Sequence, residues 1–136
     1  MNNRTIAKSL IVLIIAVLTL SACGSPKVSE DHLKYGKKAL SIVDSYLNFD
    51  INAKDAYNKM FELTMRSYDL PDETGTENFH NNLEVESSSR SMSLCLSSLS
   101  LGIDVDDNLQ ELKKQRNRLA EAIDEDLIEI SETDSQ

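Results

Sequence analysis

The sequence predicts an all-α protein, an antiparallel bundle of three to four helices that follows a cleaved N-terminal signal helix. Three observations predict it. After Ser29, apolar residues return at spacings of three and four, which lines one face of a helix. The first three runs follow a residue able to cap a helix, Ser29, Asn52, and Thr74 or Thr76, and the fourth opens on a crowd of aspartates. No stretch alternates apolar and polar residues between hairpin turns. A chain of 136 residues, 40% hydrophobic and 27% charged, suits one small globular domain.

The first helix is expected to start after Ser29, with Glu30 and Asp31 at the positive end of its dipole. Leu33, Leu40, Val43 and Leu47 share a face that Ile42 and Tyr46 widen. Gly36 lies in that stripe. It costs about 1 kcal/mol against alanine inside a helix, which points to close approach of a neighbour. "NFDINAKDAY" breaks the pattern, and Asn52 with Asp55 restarts it. The second helix carries Ala56, Tyr57, Met60, Phe61, Leu63 and Thr64 inward and ends near Tyr68, because Leu70 precedes Pro71. So short a connection makes the two helices antiparallel.

"PDETGTE" is turn chemistry. Thr74 or Thr76 is placed as the cap of a third helix with Glu77 in its first turn, and Phe79, Leu83, Met92, Cys95, Leu96 and Leu99 as its stripe. "ESSSRSMS" holds poor helix formers. The stripe spacing favours one long helix over a loop at 86–93, ended by Leu101-Gly102. The fourth helix opens with Asp104, Asp106 and Asp107 and lines one face with Leu109, Leu112, Leu119, Ile123 and Leu127. Arg116 interrupts that stripe. Lys113, Lys114, Arg116 and Arg118 alternate with acids as on a solvated, salt-bridged face. Every charge after Arg118 is negative, so the end of the helix is expected to fray.

The first 22 residues have another character. Arg4 and Lys8 precede an apolar run from Leu10 to Leu20, with no acid, which is the pattern of an export signal. The run is short for a membrane span of about 20 apolar residues. Leu20-Ser21-Ala22-Cys23 closes it and resembles the lipobox of bacterial lipoprotein precursors. The resemblance implies that a signal peptidase recognises Leu20, Ser21 and Ala22 and cuts before Cys23, whose sulfur carries a diacylglyceryl group. It implies an address on the outer side of the cell membrane, and Gly24 after the cysteine permits the outer membrane in a two-membrane cell. Two acyl chains hold firmly where one is marginal, and "GSPK" reads as a flexible spacer. The implied division is 1–22 signal peptide, 23–28 lipidated cysteine and tether, 29–130 bundle, and 131–136 acidic frayed tail. The hairpin "KKALSIVDSYLNFDINAKDAYNKMFEL" also resembles helical hairpins of small bacterial lipoproteins, a likeness that implies no activity.

Without residues 1–22 the chain holds 12 Lys+Arg against 23 Asp+Glu, leaving −11. Such a surface repels phosphate backbones, so no nucleic-acid partner is expected, and it resists lying flat on anionic lipid unaided. Cys23 and Cys95 are the two cysteines, and acylation of Cys23 precludes a disulfide between them. Cys95 sits among apolar residues as a small buried hydrophobe.

Candidate chemistry is thin. Glu77-x-x-His80 with Glu84 could hold zinc weakly, but solvated residues near a helix start are the far better account, and His32 has Ser29 three residues before it rather than a glutamate. Asp104, Asp106 and Asn108 resemble the opening of an EF-hand loop, yet Leu109 stands where glycine is needed and Gln115 where a bidentate glutamate is needed. Phosphate loops, nucleophile elbows and H-E-x-x-H are missing, and Tyr46, Tyr57 and Tyr68 fall at core-facing or half-exposed positions. No cofactor, metal or catalytic residue is called for. The expectation is a lipid-anchored module that works by contact with an envelope or membrane protein; the alternatives are a small-ligand or metal-binding lipoprotein and, third, an envelope hydrolase.

Overall fold

The computed structural model describes residues 28–130, which form four α-helices and no strand. α1 spans Glu30–Leu47, α2 Ala53–Met65, α3 Phe79–Ser100 and α4 Val105–Ala122; a 3-10 turn over Arg66–Asp69 continues α2. Ser29 and Asn52 cap the first two helices, their side chains accepting the backbone N–H of His32 and of Asp55. Leu70, extended before Pro71, stops the chain after the 3-10 turn. Gly102 turns out of α3 at φ +70°, which glycine adopts without steric cost.

Direction follows from a few bonds. Ser29 N–H donates to Asn82 Oδ1 and His32 meets Glu86, so α1 and α3 run the same way from a shared end. The short connections after Leu47 and after Ser100 then send α2 and α4 back. α3 packs on both α2 and α4, and α1 lies against all three. Val28, Tyr35, Ala39, Leu40, Val43, Ala56, Met60, Val85, Met92, Leu96, Leu112, Leu119 and Ile123 form the centre of the core. The space a side chain at Gly36 would fill is taken: a Cβ there would stand 3.3 Å from Leu119 Cδ1 and from Ile123 Cδ1 and Cγ2. The single long third helix is present, unbroken through its serines.

Several expected placements are corrected. Phe61 and Leu83, assigned inward, are exposed, and Tyr68 is exposed rather than half-covered. Each sits about a third of a turn beyond the edge of its helix's buried side, where the neighbour no longer covers it. Neither Thr74 nor Thr76 caps α3. Thr74 bonds Asp72, Thr76 donates to Glu73 O, Asn78 stands at the cap without a side-chain bond, and Glu77 lies before the helix. Leu127 is exposed, because α4 ends at Ala122 and Asp124 takes φ +59°. Beyond it the chain is held. Asn117 Nδ2 donates to Ile128 O at 2.7 Å, its Oδ1 accepts from Ile128 N–H at 2.9 Å, and Arg116 donates to Asp126 O. Arg116 is no solvated residue. It is buried and forks onto Asp44 of α1 through Nε and Nη2 at 2.9 and 3.1 Å. The acidic tail expected to fray, 131–136, lies outside the described residues.

Candidate functional site

The outward side of α2 carries Tyr57, Phe61, Met65 and, in the 3-10 turn, Tyr68, spaced by four, four and three. On a helix such residues are neighbours. The Tyr57 and Phe61 rings meet with centroids 5.9 Å apart. At the other end, the Arg90 guanidinium of α3 lies 5.7 Å from the centre of the Tyr68 ring, and Leu94 follows one turn along α3. Phe61, Met65, Tyr68 and Leu94 are 48%, 54%, 77% and 71% exposed. A cation over an aromatic face thus joins the apolar row of α2 to α3, where Leu94 is exposed. Helices of a monomer normally turn such residues inward.

Behind this face stands a polar network that fixes where the chain enters the bundle. Val28 is buried in the core, and Ser29 N–H is held by Asn82, whose Nδ2 donates to Glu73 Oε2 at 2.9 Å. The His32 ring is buried, with Nδ1 2.8 Å from Ser29 Oγ and Nε2 3.2 Å from Glu86 Oε1. In the tautomer that donates Nε2–H to Glu86, Nδ1 accepts the Ser29 hydroxyl. Glu86 Oε2 accepts from Arg90 Nη2 at 3.0 Å, and the same nitrogen donates to Ser67 Oγ at 3.3 Å. The chain of hydroxyl, imidazole and carboxylate has the order of a hydrolase triad. Here Ser29 Oγ also takes the cap bond from His32 N–H, and Glu86 is shared with Arg90, so these groups are committed to holding the start of α1. The cleft beside them measures about 210 Å³ and is walled by Tyr68, Leu70, Phe79, Leu83, Glu86 and Arg90 among others. Ligand pockets begin at about 300 Å³.

Tyr35 completes the interior of this end. Its hydroxyl is buried without a partner at hydrogen-bond geometry, although the hydroxyls of Ser89 and Ser67 lie close enough to act on it. Burial raises its pKa above the ordinary tyrosine value; Ser89 and Ser67 oppose the rise, Glu86 adds to it and Arg90 subtracts.

Leu20, Ser21, Ala22 and Cys23, the residues singled out for signal cleavage and lipidation, lie outside the described residues. Of the zinc trio, Glu77 precedes the helix, His80 is exposed, and Glu84 is taken by Arg118 at 2.8 Å. Asn108 of the EF-hand-like stretch donates to the carbonyls of Ile103 and Asp104, a backbone use that leaves its side-chain amide turned toward the chain itself. No local pattern marks Asn82. Ser29-x-x-His32 and Glu86-x-x-x-Arg90 are the local signals that could have found the network. Comparison of the chain with protein-family models, with curated proteins and with solved structures finds no match.

Proposed function

We propose that this protein is a lipid-anchored helical module on the outer face of a bacterial membrane, acting by protein contact through the α2–α3 face, without catalysis. One observation carries the reading: Phe61, Met65 and Tyr68 stand exposed in one row along α2 and its 3-10 turn, and Tyr68 is joined through Arg90 to α3, where Leu94 is exposed one turn further on. Aromatic residues, methionine and arginine are the types enriched at interface cores, and Tyr68 with Arg90 supplies such a centre. The lipobox at Cys23 supports the anchor. The fastening of Val28 and Ser29 supports a defined exit for the tether, a few residues from that sulfur. The occupant of the face is a different envelope protein with an apolar contact surface of neutral or basic charge. A second copy would bring another −11 against the first.

A photo-crosslinking side chain placed at Met65 or Leu94 of the native, membrane-attached protein tests this. The expected outcome is one crosslinked species of discrete mass from both positions, none from Lys114 on the α4 surface, and its loss in Phe61→Ser with helicity unchanged. A product of twice the chain mass, a lipid adduct alone, or equal capture from Lys114 overturns it. The anchor has its own readout. Cys23→Ala should leave the precursor uncleaved or release it from the membrane, and an unchanged membrane fraction with unchanged gel mobility sinks the lipid. A second reading, a lipoprotein that binds a small ligand, rests on a groove on another face.

A further inference from the structure

The described chain holds eleven lysines and arginines, and six of them are paired. Lys34, Lys37, Arg90, Lys114, Arg116 and Arg118 each reach a carboxylate within 4.0 Å. Among the described residues, Lys38, Lys54, Lys59, Arg66 and Lys113 form no ion pair with the abundant acids. In a chain so acidic, free cations are unexpected singly and more so together. Yet Lys38 of α1, Lys59 of α2 and Arg66 of the following turn converge on one groove of about 310 Å³ between α1 and α2.

The rest of that groove is suited to a ligand. Ile42 and Leu63, half-buried against the core, give it an apolar floor, and Ser41 adds a hydroxyl. Glu62 is its one acid, paired with none of the three cations. The excess of two positive charges therefore stands inside a molecule whose net charge is strongly negative. Cations from two helices can surround an anion from opposite sides, and the guanidinium adds a planar fork matched to phosphate oxygens. The volume matches the lower end of small-molecule sites rather than a protein segment.

We infer that the α1–α2 groove binds a small phosphorylated anion, its oxygens met by Lys38, Lys59 and Arg66 and its apolar part resting on Ile42 and Leu63. A phospholipid headgroup and a dissolved phosphorylated compound share this chemistry. The site is separate from the α2–α3 contact face, so neither proposal depends on the other.

Lysine footprinting of the full mature protein tests the inference, with acetylation of each lysine read by mass spectrometry. One arm adds inorganic pyrophosphate; the other adds vesicles of phosphatidylglycerol, with phosphatidylcholine vesicles as the comparison. Lys38 and Lys59 should acetylate at least about fivefold more slowly in one arm or both, saturably, while Lys54 and Lys113 stay within about twofold. Protection by pyrophosphate identifies a dissolved ligand, and protection by phosphatidylglycerol alone identifies a headgroup. Arg66→Gln, an exposed change that leaves the fold intact, should abolish the protection, whereas Lys113→Gln should not. Equal protection of all four lysines, protection that persists in Arg66→Gln, or none in either arm overturns the site.

Discussion

α3 and α4 form the most extensive helix pair of the bundle, yet they fill their buried sides by opposite means. α4 spends large apolar side chains, Leu112 and Leu119, with Ala120 between turns. α3 buries Ser88, Ser89 and Ser93 beside Val85, Met92, Cys95, Leu96 and Leu99. The serines are small enough to let other helices close in, and the hydroxyls of Ser88 and Ser89 are satisfied within the helix. Ser89 donates to Val85 O at 2.7 Å and Ser88 to Glu84 Oε1 at 3.2 Å. A helix can thus be buried by smallness and self-bonding as well as by greasiness. Only the second leaves a strong periodic mark.

The sharpest break of the comparison is Leu119→Ala on α4. Leu119 is fully buried and its Cδ1 closes on the bare face of Gly36, so truncation opens a cavity between α4 and α1. Loss of about 2–5 kcal/mol is expected, seen as a lower urea midpoint with an unchanged slope. On α3 the vulnerable direction is the reverse. Ser89→Leu inserts a branched side chain where there is no room and where the Tyr35 hydroxyl lies near, and should cost about 1–3 kcal/mol. Ser89→Ala should cost about 1 kcal/mol or less, because it removes one local bond and leaves almost no cavity. If the alanine variant loses as much as the leucine one, smallness is not what α3 contributes.

How legible this was follows the same division. Caps at Ser29 and Asn52, the stop at Pro71 and the turn at Gly102 were readable because each acts within a few residues. Leu112 and Leu119 announced the buried side of α4. Stripe spacing favours the long third helix, though nothing in its composition tells why serines sit in its core. Phe61 fits the inward stripe of α2 by period, and only the position of the neighbouring helices shows that it faces out. That misplacement matters most, because Phe61 belongs to the proposed contact face. Arg116 and His32 are decoded by partners 72 and 54 residues away, beyond any local rule.

Arg116 offers the next test, since it puts a charge where α4 otherwise places leucine. Its side chain is 8% exposed, against 36% for Asp44. Removing the two partners should therefore be unequal. Asp44→Ala strands a buried guanidinium, whereas Arg116→Met leaves a carboxylate that water already reaches and fills the stripe with an apolar chain. Costs of about 2 and about 1 kcal/mol are expected, below the full penalty for a wholly buried pair because Asp44 is partly hydrated. Arg116→Met should also free residues 125–128, read as faster amide exchange at Ile128, because Arg116 no longer holds Asp126 O beside the Asn117 clamp. Equal losses from the two variants would mean that the pair, rather than the burial of one partner, sets the energy.

The smallest effect lies at the seam itself. Cys95 of α3 is buried, and burial raises its thiol pKa, with the nearby Glu111 carboxylate of α4 adding to the rise. At neutral pH the thiol is protonated in both folded and unfolded chains and contributes no pH dependence. Above the unfolded thiol pKa of about 8.5, the unfolded chain releases its proton while the folded one keeps it, so stability falls as pH rises toward the folded pKa. Tyr35, raised in the same sense, extends the fall above about pH 10. The urea midpoint should therefore decline from pH 8 to pH 9.5, and Cys95→Ala should flatten that decline without abolishing the fold. Glu111→Gln should flatten it less, because burial is the larger cause and survives the change. A thiol reagent should reach Cys95 only as fast as the seam opens. Rapid labelling of the folded protein would show that the small residues of α3 leave the seam accessible, and that its burial is not the close packing on which the contrast between the two helices depends.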